Sequence, residues 1–227
     1  MEDKGLYQAH AAQVSGIASV LATNKVLKNT YMLLSMTLLF STVTAGISMA
    51  IGLPHGAALL LSLVGLGLLF VVNATANSGK GIIAVFAFTG VMGASLGPML
   101  NYYLALPNGP GLVMQALGGT AVVFFALSGY ALTTRKDFSY MGGFLIVGLL
   151  VAIVASIANI FLGIPALSLT ISAAIVLIMS GLILFDTSRI INGGETNYIR
   201  ATVALYLDIY NLFVNLLHLL GAFGGDD

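Results

Sequence analysis

The chain alternates long apolar stretches with short polar breaks. Each stretch has about the 20 residues needed to cross ~30 Å of bilayer hydrocarbon as a helix. The breaks are rich in Gly, Pro and Asn, the residues that helix ends and tight turns require. The pattern predicts an all-α integral membrane fold with seven transmembrane helices. The apolar runs cover 31–52, 56–74, 81–104, 112–133, 139–162, 166–190 and 202–222.

Composition supports this fold class. The chain is 59% hydrophobic and only 7% charged, whereas a soluble domain carries roughly 25% charged residues. We therefore expect a lipid bilayer as its environment, and specifically a bacterial inner (plasma) membrane in which the chain is multi-pass. There is no cysteine, which excludes disulfides and thiolate metal sites. A net charge of zero argues against nucleic acid as a partner, and we expect no cofactor.

Three regions are predicted along the chain. Residues 1–30 form a polar cytoplasmic segment, which the sequence allows as a short interfacial helix or as a mobile tail. No cleavable signal peptide is visible there, so the first span is expected to stay as an anchor. Residues 31–222 form the helix bundle, and residues 223–227 form a short acidic tail.

The basic residues predict an orientation. With the N-terminus in the cytoplasm, every Lys and Arg falls on the cytoplasmic side and the opposite connections have none, as the positive-inside rule requires. We predict a cytoplasmic N-terminus and an outer C-terminus. The eight basic residues are Lys4, Lys25, Lys28, Lys80, Arg135, Lys136, Arg189 and Arg200.

The last apolar run carries a polar stripe. Asp208, Asn211, Asn215 and His218 are spaced 3, 4 and 3 residues apart, which places them within about an 80° arc of a helix. A side chain that can carry charge is costly inside a membrane and by default faces protein or water. The stripe therefore predicts that the other helices cover the seventh. For His218 and the two asparagines, interhelical hydrogen bonding competes with a role in a relay or a hydrated path.

A second acid lies on the sixth run at a comparable depth. Asp186 and Asp208 are expected in the cytoplasmic half of adjacent antiparallel helices. If their carboxyl groups meet, both cannot ionise cheaply, so the pair would hold one proton near neutral pH and lose it as the pH rises. Alternatively Asp186 pairs with Arg189, one turn away, or the acids are held by Arg189 and Arg200 in a structural role. A pair that shares a proton would be a proton- or cation-sensing site. Acids that are held by arginines would have a structural role only.

An enzymatic function is a further alternative for the two aspartates. Two aspartates on consecutive spans are a feature of intramembrane aspartyl proteases, but those enzymes share a Gly-x-Gly-Asp motif. Here the acids follow Leu-Phe and Tyr-Leu instead. No Ser/His pair, phosphate loop or His-rich metal motif is visible in the sequence. We therefore expect a protein that is not an enzyme.

Several segments together resemble the Bax inhibitor-one (transmembrane Bax inhibitor motif) family over nearly all of residues 25–222. They are F-A-F-T-G-V-M-G-A-S-L-G-P (86–98), M-G-G-F-L (141–145), A-N-I-F-L-G (158–163), L-F-D-T-S-R-I-I (184–191) and A-L-Y-L-D-I-Y-N-L-F (204–213). Three further segments resemble the bacterial YccA-like branch of that family, whose name comes from a modulator of the FtsH protease. They are N-K-V-L-K-N-T-Y (24–31), L-T-T-R-K-D (132–137) and G-G-E-T-N-Y-I-R-A-T-V (193–203).

The family resemblance implies six helices packed around a central seventh. It also implies a pH-sensitive calcium leak governed by an aspartate pair, which maps onto Asp186 and Asp208 and would make them a transient calcium site. Some family members engage such a pair with an arginine of the second span, but residues 56–74 contain no Arg or Lys. That role would here fall to Arg189. The YccA-like resemblance implies instead, or in addition, binding to the membrane protease FtsH and slowing of its proteolysis.

Overall fold

The computed structural model describes the backbone of residues 2–224 and the side chains of residues 23–224. This part of the chain contains seven α-helices and no strand. Each helix has a segment long and apolar enough to cross a membrane, which in the first helix is Thr23–Ala50. The helices are α1 (Glu2–Ala50), α2 (His55–Thr75), α3 (Lys80–Leu104), α4 (Gly109–Thr134), α5 (Gly142–Leu162), α6 (Pro165–Ile191) and α7 (Tyr198–Phe223).

The predicted all-α class and the seven spans are confirmed. The boundaries of the second to seventh spans agree within a few residues, whereas the start of the first span is not tested because α1 extends back to Glu2. The helix ends follow the predicted Gly and Pro signals: Gly163 takes a left-handed conformation (φ 63°) after α5, and Pro165 opens α6. Pro is favoured there because its missing N–H has no partner at a helix start.

The seventh helix lies at the centre of the bundle. Within the described chain α7 contacts α1, α2, α3, α4 and α6, whereas α5 packs on α6 and on the short 3₁₀ turn that precedes it. Leu205, Leu212 and Leu217 of α7 are fully buried. The central position predicted for the polar helix is therefore confirmed, and α5 belongs to the outer ring without touching α7.

Close packing of α1 on α3 depends on two glycines. A Cβ added at Gly93 would collide with the backbone carbonyl oxygen of Ser41, and one added at Gly97 would collide with Ser48. Membrane helices pack through such small residues because lipid supplies no hydrophobic drive for helix association. This contact brings Ser41 of α1 against Tyr206 of α7, whose hydroxyl groups are 2.7 Å apart.

Some sequence predictions lie outside this description. The side chains of the polar segment before Thr23, and residues 225–227 with the two C-terminal aspartates, lie outside the described residues. In the backbone, α1 begins at Glu2 and continues without interruption into the first span. The sides of the membrane on which the termini lie stay a prediction from the basic residues.

Candidate functional site

The start of α7 is fixed by its capping residue. Asn197 accepts hydrogen bonds through Oδ1 from the backbone N–H groups of Ile199 (2.9 Å) and Arg200 (3.2 Å), as an N-cap does. Its Nδ2 donates to the Ala76 carbonyl at 3.0 Å and to Asn77 Oδ1 at 2.8 Å. The first turn of α7 is therefore tied to the end of α2, which sets the depth of every polar side chain along α7.

Asp208 lies inside the bundle. Its residue is only 4% exposed, and no protein donor among the described residues bonds to its Oδ2 atom. An unpaired carboxylate in such a position is strongly disfavoured. The group is stable there only with a bound proton, a cation or a polar solvent partner. The predicted inward direction of the stripe is confirmed for this residue.

Asp186 of α6 lies next to Asp208, as the antiparallel arrangement predicts. The two carboxyl groups lie close enough across the α6–α7 interface for the charge of each to act on the other. Carboxylate oxygens only accept hydrogen bonds, so a bond between the two acids would require a proton on one of them. That the pair senses protons or cations stays a prediction.

Arg189 approaches the pair from one side only. Its Nη1 lies 3.6 Å from Asp186 Oδ1 and its Nη2 lies 3.8 Å from Glu195 Oε2. The guanidinium also donates to the Gly194 carbonyl at 3.3 Å and lies over the Phe185 ring, 5.5 Å from its centroid. Asp186 therefore lies between the Arg189 guanidinium and Asp208.

The other candidate arginine is elsewhere. Arg200 is exposed on the first turn of α7, and its side chain makes no ion pair with any described acid. Of the two arginines proposed as partners, the structure brings only Arg189 to the acids.

The part of the stripe nearer the C-terminal end of α7 borders a polar cavity. Asn211 and Asn215 donate to carbonyls one turn earlier on their own helix, both at 2.8 Å. His218 Nδ1 lies 2.8 Å from the Ser172 hydroxyl of α6. A cavity of about 210 Å³ separates α5 from α7 at this level. Its polar lining consists of Ser156, Asn159, Ser168, Ser172 and Asn215.

The cavity is open because α5 does not reach α7. Its three serines are residues that the polar pattern of the sequence did not single out. Serines in membrane helices often bond their own helix, as Ser156 does to the Ala152 carbonyl at 2.7 Å, so their presence alone is no signal. The signal that could have indicated this site is the four-residue spacing of Ser168 and Ser172, which places both on one face of α6.

The opposite side of α7 carries a second polar set. The Tyr210 hydroxyl lies 3.0 Å from that of Ser95 in α3, and Tyr206 meets Phe88 edge-on. Two residues along a helix correspond to about 200°, so Tyr206 points away from Asp208. No pattern in the sequence separates these tyrosines from ordinary core residues.

Comparison with known proteins agrees with this architecture. A family model described as "Inhibitor of apoptosis-promoting Bax1" matches residues 23–225. The "Modulator of FtsH protease YccA" of Escherichia coli K12 is 57% identical over 204 residues, which cover 89% of this chain and 92% of that protein. An "Inner membrane protein YccA" of Escherichia coli O6:H1 matches to the same extent. An "Uncharacterized membrane protein" of Vibrio cholerae is 52% identical, covering 95% of this chain and 97% of its own. The chain therefore belongs to the Bax inhibitor family described by that model.

Proposed function

We propose that this chain is a bacterial inner-membrane protein that binds the membrane protease FtsH and slows its proteolysis, without being an enzyme itself. The observation that carries this proposal is the 57% identity to a named FtsH modulator over 92% of that protein's length. An identity this high across seven membrane helices preserves the packing surfaces as well as the fold. The inner-membrane location follows from the same relatives.

The segment before the first span is the natural handle for a cytoplasmic protease. It precedes the apolar segment Thr23–Ala50 of α1, and the basic residues predict that it lies in the cytoplasm. The test is co-purification of FtsH with the tagged full chain from detergent-solubilised membranes. A chain in which residues 2–22 are replaced by a Gly/Ser stretch of the same length serves as the matched control. FtsH should be captured by the full chain and lost from the control. Failure of the full chain to capture FtsH would reject the proposal.

A second function is favoured by the buried acid pair. The protein also provides a proton-controlled path for cations such as calcium, with Asp186 and Asp208 as the controlling pair. The support is that Asp208 is buried without a protein donor on Oδ2 and adjoins a second carboxyl group. Charged side chains at membrane depth are costly and are retained at ion and proton pathways.

The path would run from the outer polar cavity to the pair. Asn215 lines that cavity, and Asn211 lies one turn further along the same face of α7, towards Asp208. Asn215 and Asp208 are seven residues apart, or about 10 Å along the helix. Oxygen ligands are the ones that calcium prefers, and this face offers amide and hydroxyl oxygens leading to two carboxylates.

The test is calcium flux into proteoliposomes measured over a range of pH. A path governed by one proton should change flux by up to about tenfold per pH unit across the transition. Asp208→Asn should abolish this pH response, because the amide cannot titrate. Asp137→Asn is the matched control, since it removes one carboxylate from an exposed loop and should leave flux unchanged. A wild-type pH response retained by Asp208→Asn would reject this function but leave the FtsH proposal standing.

A further inference from the structure

A long apolar groove lies between α1 and α4 on the far side of α7 from the acid pair. In the described part of the chain the backbones of α1 and α4 stand apart, and the two helices meet through the Tyr31 side chain, which contacts Ser128 and Phe124. The space between them has a volume of about 380 Å³, and α7 forms its floor with Tyr206, Ile209, Tyr210 and Phe213. The groove is thus a gap in the outer ring that reaches the central helix.

The lining of the groove is chemically apolar, although it contains seven hydroxyl-bearing side chains. Each of these hydroxyl groups already has a hydrogen-bond partner in the protein. Tyr206, for example, is bonded to Ser41 at 2.7 Å and Tyr210 to Ser95 at 3.0 Å. A cavity needs unsatisfied polar groups to hold water stably. The groove therefore favours a hydrocarbon occupant over water or an ion, unlike the polar cavity beside α5.

The dimensions select a thin occupant. Along α1 the lining extends from Tyr31 to Ala45, which is roughly 21 Å at ~1.5 Å per residue. At one end of this length α1 and α4 meet, because the Tyr31 hydroxyl is bonded to that of Ser128 and the centroids of the Tyr31 and Phe124 rings are 6.1 Å apart. A transmembrane helix about 10 Å across cannot pass between α1 and α4 there. A flexible hydrocarbon chain can lie in the open part of the groove.

The mouth of the groove is continuous with the lipid-facing surface. Thr42 on α1 and Phe125 on α4 belong to its lining; Thr42 is exposed and Phe125 is 70% exposed. Both belong to helices long and apolar enough to span the bilayer, so the acyl chains around the protein reach the groove without crossing polar surface. We propose that the α1–α4 groove is a lateral binding site for one acyl chain of a bilayer phospholipid.

The chain contains no tryptophan, so a single introduced tryptophan can report on the occupant. Each variant is reconstituted into phosphatidylcholine vesicles with brominated or unbrominated acyl chains, because bromine quenches tryptophan fluorescence on contact. Phe213→Trp places the reporter on the groove floor. Phe161→Trp, at an 85% exposed site, defines full contact with lipid. Phe88→Trp, at a fully buried site outside the groove, defines no contact.

An occupying acyl chain should give Phe213→Trp at least half of the quenching seen for Phe161→Trp. Adding Ala45→Phe, which fills the groove from the α1 side, should return the quenching to the level of Phe88→Trp. Phe124→Trp, also in the lining, repeats the measurement on α4 if Phe213→Trp does not fold. Quenching no greater than that of Phe88→Trp would overturn the proposal, as would quenching that Ala45→Phe leaves unchanged. Quenching that appears only when the protein is highly diluted in lipid would assign the groove to a second copy of the chain and would equally overturn it.

Discussion

The Arg189 guanidinium lies 3.6 Å from the Asp186 carboxylate, and Asp186 in turn adjoins Asp208. Only one of the two acids therefore has a cation beside it. Asp186 is partly accessible, with 14% of its side chain exposed, whereas Asp208 is buried behind it. This asymmetry predicts that Arg189 acts on the pair through Asp186, without touching the inner acid.

Removal of Arg189 should change the pH response of the cation path. In Arg189→Gln the carboxylate form of the pair loses its neighbouring positive charge, so the flux transition should move to higher pH. The free energy of unfolding should change by less than about 1 kcal/mol, because exposed ion pairs contribute little and 36% of this side chain is exposed. Flux measured against pH and unfolding in detergent test the two effects.

Arg200→Gln is the control for that experiment. It removes an equal charge from the same side of the protein, but Arg200 makes no ion pair with a described acid. It should leave the flux transition at the wild-type pH. Equal shifts in the two variants would mean that general surface charge, and not the contact with Asp186, governs the pair.

The polar cavity beside α5 should be open to water from the outer side. Because the natural chain has no cysteine, Ser172→Cys can be labelled selectively with a membrane-impermeant thiol reagent added outside. The cavity volume of about 210 Å³ is well above the ~10–15 Å³ that one water needs, so labelling should be fast. Ser156→Cys, on the facing wall, should behave alike.

Ala174→Cys provides the comparison for labelling. It lies two residues further along α6, about 3 Å away in depth, and is exposed on the outer surface of the bundle. Lipid should protect it from the reagent. Labelling of Ser172→Cys no faster than that of Ala174→Cys would show that the cavity is not accessible from outside.

The α1–α3 contact should be sensitive to a single methyl group. Gly93→Ala places a Cβ against the Ser41 carbonyl, and overpacking of this kind costs roughly 1–3 kcal/mol. Gly67→Ala on α2 meets no atom within 4 Å and should be neutral or slightly stabilising, since Ala is the better helix former. Thermal unfolding in detergent compares the two. Equal stability of both variants would contradict the packing described for Gly93.

The sequence predicted those features that depend on polarity within an apolar background. The seven runs define the helices, and the stripe that contains Asp208 identifies α7 as the covered helix. Asp186 was found for the same reason, since carboxyl groups at membrane depth are rare. Gly93 and Gly97 make a close helix contact. Glycine content alone does not distinguish them from Gly67, where an added Cβ would meet no atom within 4 Å.

Features that arise from gaps between helices could not be predicted in this way. The α1–α4 groove exists because the backbones of these two helices stand apart, and no residue pattern on either helix indicates that separation. The polar cavity likewise depends on α5 standing away from α7, while its serines look like ordinary residues of membrane helices.

Direct measurement of FtsH proteolysis tests the central claim. FtsH and this chain are reconstituted together in proteoliposomes, and the degradation rate of a membrane substrate is followed with ATP present. We predict that the full chain slows degradation in proportion to its amount, whereas the chain with residues 2–22 replaced by Gly/Ser has a much smaller effect. A degradation rate unchanged by the full chain at any ratio to FtsH would contradict the proposed function.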